Sequence, residues 1–136
     1  MESDISIIKQ LLKRLFPICR SIAGPGVRET LNIMKKFSSF ETKSIKSGKK
    51  VFDWIVPQEW SINDAYIKDS SGKKIIDFKK SNIHVVNYSK SFRGKISFLE
   101  LDKHLHTIKE LPDAIPYRTS YYNKNWGFCL SYNEYK

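Results

Sequence analysis

Apolar residues recur at helical spacing near the start of the chain. Ile5, Ile8, Leu12 and Leu15 fall three or four apart, and Leu11 and Phe16 widen the stripe. This predicts an amphipathic helix over 4–16. Ser3 or Asp4 can cap it, and Pro17 ends it because a proline ring clashes with the preceding turn. Gly24-Pro25-Gly26 then breaks the pattern. Pro25 suits the first turn of a second helix, and Glu29 sits early, where the helix dipole favours a carboxylate. Val27, Leu31, Met34 and Phe37 give that helix one apolar face as far as about residue 37.

After Ser38 the runs shorten and alternate. Ser47-Gly48 separates two extended runs, a hairpin signature, and 51–56 reads as a strand ended by Pro57. Residues 65–67 and 75–78 flank Asp69-Ser70-Ser71-Gly72, which supplies a turn. Residues 83–89 read as another strand. Phe98, Leu101 and Leu105 return to helical spacing, with Ser97 as cap and Glu100 at the third position of a capping box. A proline-punctuated loop leads to a final strand over 126–132. We find no internal repeat and no low-complexity tract.

The order predicts an α+β fold: a helix pair, a mainly antiparallel β module, a short helix, a loop and a last strand. At 136 residues, 40% hydrophobic and 13% aromatic, the chain can build a core. No apolar run approaches the roughly 20 residues that span a bilayer. The acidic first residues lack the pattern of a secretory signal. Two cysteines, Cys19 and Cys129, lie far apart in apolar surroundings, and two buried free thiols fit a reducing cytoplasm.

The net charge of +10 raises nucleic acid or an anionic surface as a partner. However, only Arg14, Arg20, Arg28, Arg93 and Arg118 among the 24 basic residues are arginine, and they are scattered. The lysine pairs fall beside turns and helix ends, where solvated charge is normal. We therefore expect neither nucleic acid nor a membrane as partner.

Several constellations invite chemistry. His104 and His106 form a "HLH". On a helix they would point nearly opposite ways, and on a strand they would share a face, but two ligands do not close a zinc site. We expect no metal ligand in this chain, and no cofactor held by it. There is no Gly-x-Ser-x-Gly elbow, and Cys129 between Phe128 and Leu130 has no activating neighbour. "AGPGVRET" could hold an anion at a helix start, but it lacks the P-loop lysine and the Rossmann spacing. Trp54 and Trp60, on either side of Pro57, read as plugs of a small β core. The richest recognition chemistry is in the last 22 residues, five of them tyrosine. Arg118, Tyr121, Tyr122 and Trp126 combine a fixed-charge donor fork with amphipathic rings, which suits a surface facing a ligand or another domain.

Three long stretches, "ICRSIAGPGVRETL", "SGKKVFDWIVPQEWSINDAYIKDSSGKKIIDFKKSNIHVVNYS" and "LPDAIPYRTSYYNKNWGFCLS", together resemble the opening third of bacterial aminopeptidase-like proteins. These are labelled polysaccharide biosynthesis proteins with an aminopeptidase-like domain, and otherwise domains of unknown function. The resemblance runs through nearly the whole chain. It implies a zinc-peptidase-like α/β domain that begins with residues 1–38, a β-rich lid inserted over 39–113, and a return segment over 114–136 whose strand belongs to the peptidase-like domain. The family's metal ligands come later, so none is carried onto a residue here. In the full protein a bound zinc would activate water, with a carboxylate as base. The chain is then expected to be a lid-bearing N-terminal part, not catalytic by itself. Its expected partner is the missing C-terminal aminopeptidase-like domain, and its expected ligand a small peptide-like substrate lined by Arg118, Tyr121, Tyr122 and Trp126. The alternative is a free-standing basic β module that binds nucleic acid or acidic glycan, which steep loss of affinity with salt would reveal.

Overall fold

Helix α1 spans Glu2–Leu15 and α2 spans Pro25–Met34, so both predicted helices are present. The computed structural model describes residues 2–136, with side chains from Asp4 onward. Of the two expected caps of α1, Ser3 has its side chain outside the described residues, and Asp4 lies within the helix. The chain forms two compact units, Met1–Ile62 and Asn63–Lys136. The expected divisions at 38/39 and 113/114 do not coincide with this one. Residues 39–62 cluster with the helices, and 114–136 cluster with 63–113.

In the first unit the carboxyl end of α1 is closed by Arg20, whose Nη1 donates to the Leu15 carbonyl at 2.7 Å. Pro25 occupies the first turn of α2, as its missing N–H allows. Gly24 before it has φ 125°, and a Cβ there would sit 2.5 Å from the Trp60 carbonyl oxygen. Only glycine permits both that backbone and that approach. The approach is held by the Arg28 guanidinium, which grips Glu59 with both nitrogens, one bond being Nη2 to Oε2 at 2.9 Å. This hydrogen-bonded pairing lowers the Glu59 carboxyl below its ordinary range.

Two expectations for this unit are corrected. Residues 51–56 are not one strand. They fold back at Phe52-Asp53, so that β1 (Lys50–Val51) pairs antiparallel with β2 (Trp54–Ile55). Phe52 has φ 55° and is 93% exposed, a conformation that an apolar aromatic residue does not announce in a sequence. The turn at Gly48 still forms, with Gly48 N–H donating to Val56 O at 2.8 Å. The apolar stripe of α1 is also not its buried face. Ile5, Ile8, Leu12 and Phe16 are exposed, while Leu11 and Leu15 are half-buried. Trp54 is likewise exposed and plugs no core, whereas Trp60 is half-buried.

The second unit holds the better core: Ile76, Val85, Val86, Cys129 and Leu130 are buried. The expected hairpin forms as β3 (Tyr66–Lys68) antiparallel to β4 (Lys74–Asp77). The Asp69 carboxylate accepts from Ser71 N–H, Ser71 Oγ and Lys73 N–H, which explains why that turn was legible. The 83–89 run begins as a 3-10 turn over Asn82–His84 before it extends. Helix α3 covers only Phe98–Asp102, capped by Ser97 as expected. Leu105 and His106 leave the helix to form β5, which pairs with β6 (Phe128–Cys129) in parallel, not antiparallel. On its other side β6 bridges to Val85. The last strand therefore stops at Cys129 and is paired within this unit.

The residues after it also turn once more. Ser131 and Glu134 form a complete capping box that starts α4 (Tyr132–Tyr135). Ser131 and Glu134 have the spacing of that box, but reading 126–132 as one strand hid it. The described fold is thus mixed α+β, with three two-stranded pairings.

Candidate functional site

The four residues chosen from the sequence all lie in the second unit, in three settings. The segment that carries Arg118 runs beside Asn87. Asn87 N–H donates to Arg118 O at 2.9 Å, Ser120 N–H returns a bond to Asn87 O at 2.8 Å, and Asn87 Nδ2 donates to Tyr117 Oη at 2.8 Å. This ladder fixes the backbone of Arg118 while its side chain stays exposed. The Arg118 charge acts to lower the pKa of both Cys129 and His106.

Trp126 sits in an aromatic stack. The His104 ring lies 3.8 Å from it at 15°, and the Phe92 ring 4.5 Å away at 4°. His104 Nδ1 is 2.8 Å from the Trp126 carbonyl, which can only accept, so that nitrogen carries the proton. Both rings stack on the Trp126 indole, which is half-buried. Tyr121 meets Tyr122 at 4.1 Å and Tyr88 at 5.8 Å, both edge-on. Tyr121 and Tyr88 hold φ of 48° and 64°. Backbone in that region costs on the order of 1 kcal/mol per residue and persists where its surroundings over-determine it. The structure therefore joins the two tyrosines to each other, but places Trp126 in a separate stack and Arg118 in neither.

Sequence reasoning missed His104 and His106 as members of this region. His106 lies on β5 opposite Cys129. Burial lowers its pKa first, followed by the charges of Arg118 and His104. Burial raises the Cys129 thiol to about 11. A thiol so protonated is no nucleophile at neutral pH. His84, buried, donates its Nδ1–H to the Cys129 carbonyl at 2.8 Å and so serves the core.

The histidines do not make a zinc site. His84 and His104 each hold a carbonyl through Nδ1, which leaves only Nε2 of each ring able to ligate. Among the described residues no group of three or more His, Cys, Asp or Glu is placed to hold a metal. No described helix is long and apolar enough to cross a membrane. Lysines of the β3–β4 hairpin are engaged locally: Lys74 Nζ lies 3.0 Å from Asp77 and 4.5 Å from the centre of the Tyr66 ring, and Lys68 Nζ lies 5.2 Å from the same centre. The first unit has an open cleft of about 430 Å³ bordered by Arg14, Cys19, Gly26, Glu29 and Trp60.

A family model described as "Domain of unknown function (DUF2172)" matches residues 59–136, more than half of the chain. The chain belongs to this family. The DUF2172 match begins close to the boundary at Ile62 and takes in the whole second unit, with every candidate residue above. A Clostridium acetobutylicum relative, named "Putative polysaccharide biosynthesis protein with aminopeptidase-like domain", is 52% identical over 128 residues. That alignment takes in 94% of this chain and 30% of the relative. A crystal structure of a "putative peptidase" from the same species superposes with a TM-score of 0.91 at 51% identity, covering 96% of this chain and 31% of that one. The chain thus spans about a third of the length of these relatives.

Proposed function

We propose that this chain is the N-terminal, lid-bearing part of a zinc-dependent aminopeptidase-like hydrolase and is inactive by itself. One observation carries the reading: a 52% identical relative with an aminopeptidase-like name is matched along 94% of this chain but only 30% of its own length. The exposed stripe of α1 supports it. Ile5, Ile8, Leu12 and Phe16 are each more than half exposed. Covering such side chains contributes about 1 kcal/mol apiece, which a peptidase-like domain packed on the stripe would supply. In this reading the metal of the full protein is bound by residues outside this segment.

On the same reading Arg118, Tyr121, Tyr122 and Trp126 contribute, from their three separate settings in the second unit, to the substrate cleft of the full protein. The exposed Arg118 fork suits a carboxylate, the tyrosines offer rings and hydroxyls, and Trp126 contributes an indole stacked with Phe92 and His104. Two free thiols suit a reducing cytoplasm.

Trans-complementation tests this directly. The Clostridium acetobutylicum relative is expressed without its matched segment, and this chain is added. Recovery of hydrolysis of an aminoacyl anilide on mixing is the expected result. Full activity of the shortened relative before addition would show that the segment is dispensable and overturn the reading.

A further inference from the structure

The β1–β2 hairpin carries an aromatic knob at its tip. Lys50 pairs with Ile55 and Val51 with Trp54, so Phe52-Asp53 is the whole connection. Gly48 N–H to Val56 O at 2.8 Å and Val56 N–H to Lys49 O at 2.9 Å close its base. Phe52 has φ 55° at the first central position of the turn, where glycine is the usual occupant. Its side chain is 93% exposed, and Trp54 and Ile55 behind it are exposed as well. A left-handed backbone persists where its surroundings over-determine it, yet packing within this chain does not hold the Phe52 ring. The unit that carries the hairpin is also short of a core. Among the described residues Ile33 and Pro57 are the buried apolar side chains of Met1–Ile62, whereas Ile76, Val85, Val86, Cys129 and Leu130 fill the second unit.

We propose that Phe52 seats in an apolar socket on the part of the full-length protein that lies outside this chain, with Trp54 and Ile55 widening the contact. This docking rests on the reading of the chain as one part of a longer protein. The relative supplies the occupant: the alignment takes in 94% of this chain but 30% of a 52% identical protein, so most of that protein lies outside the match. A second copy of this chain is a poor occupant. The net charge is +10, and exposed Lys46, Lys49 and Lys50 flank the tip, so two meeting hairpins would bring like charges together. Seating an aromatic ring removes a large apolar area from water, which offsets the cost of the left-handed turn.

The test reads one substitution in two settings. Phe52→Gly is made in the 136-residue chain and in the intact Clostridium acetobutylicum relative carrying this chain's residues 48–56 at the matched position. In the 136-residue chain the urea midpoint, followed at the Trp60 indole by NMR, stays or rises by up to about 0.5 M, because glycine accepts the left-handed turn. In the relative the midpoint falls by about 0.5 M or more, because a seated ring is lost. A fall in the 136-residue chain, or no fall in the relative, overturns the proposal. If Phe52→Gly leaves the relative unfolded, Phe52→Leu is read instead, and a midpoint equal to that of the unsubstituted graft overturns it. Sedimentation of the 136-residue chain and its binding to phosphatidylserine vesicles are measured alongside. A dimer or a vesicle complex that Phe52→Gly abolishes assigns the knob to a second copy or to an anionic lipid surface, and overturns the docking as well. No step depends on hydrolysis, so an inactive relative would sink the hydrolase reading alone and leave the docking standing.

Discussion

Replacing Gly127 by alanine should loosen the junction on which the candidate region is built. A Cβ at 127 would lie 2.8 Å from the His104 carbonyl oxygen, 3.1 Å from Val86 Cγ2 and 3.2 Å from His106 Nε2. The first of these is a backbone atom that already accepts from Phe128 N–H at 2.8 Å. It can retreat only by lengthening that bond. A weakened hydrogen bond costs about 1 kcal/mol and crowding a packed site roughly 1–3 kcal/mol. Against this, alanine restricts the unfolded chain, which returns about 0.4–1 kcal/mol because φ at Gly127 is not positive. The net is a destabilisation of about 2 kcal/mol, or a midpoint lower by about 1 M urea at a slope of about 2 kcal/mol per molar. The assay is urea unfolding followed at the Trp126 indole by NMR, which reports on the second unit alone. Gly94→Ala is the control, since a Cβ there meets only the Phe92 ring edge at 3.4 Å. A Gly127→Ala midpoint equal to that of Gly94→Ala would refute the claim that β5 and β6 depend on a bare backbone.

Three further outcomes follow from the same unit. Ser131→Ala removes the side chain that accepts from Glu134 N–H at 3.1 Å and donates to its carboxylate, and should cost about 1 kcal/mol by urea unfolding. Cys129, raised from 9.0 to about 11, should alkylate about a hundredfold more slowly in the folded chain than in urea at pH 8. Because its folded pKa is the higher one, its stabilising effect holds below pH 9 and is lost as pH rises towards 11. His106 runs the opposite way: its folded pKa lies below 6.5, so stability is held above that pH and falls as acid protonates the unfolded chain first. His106→Gln should flatten that acid limb, and an unchanged limb would show that another group causes it.

What could be read from the sequence was local. The Asp69–Gly72 turn, the Ser97 cap and Pro25 in the first turn of α2 each depend on neighbours within four residues. Features decided elsewhere in the chain were not legible. Phe52 enters a left-handed turn although nothing in "KVFDWI" marks one. The stripe of Phe98, Leu101 and Leu105 suggested a longer helix, and so concealed that His106 lies on a strand. The parallel partner of β5 is more than twenty residues away. The capping box at Ser131 was local, but an apolar run overshadowed it. The family resemblance, by contrast, needed only ordered motifs, and the DUF2172 match accords with it.

Zinc content measured alongside aminoacyl anilide hydrolysis, for this chain and for the intact Clostridium acetobutylicum relative, tests the central claim most directly. The account predicts stoichiometric zinc and hydrolysis in the relative, and neither in this chain at equal concentration. Tight zinc at one per molecule in the 136-residue chain, or turnover by it, would contradict the account.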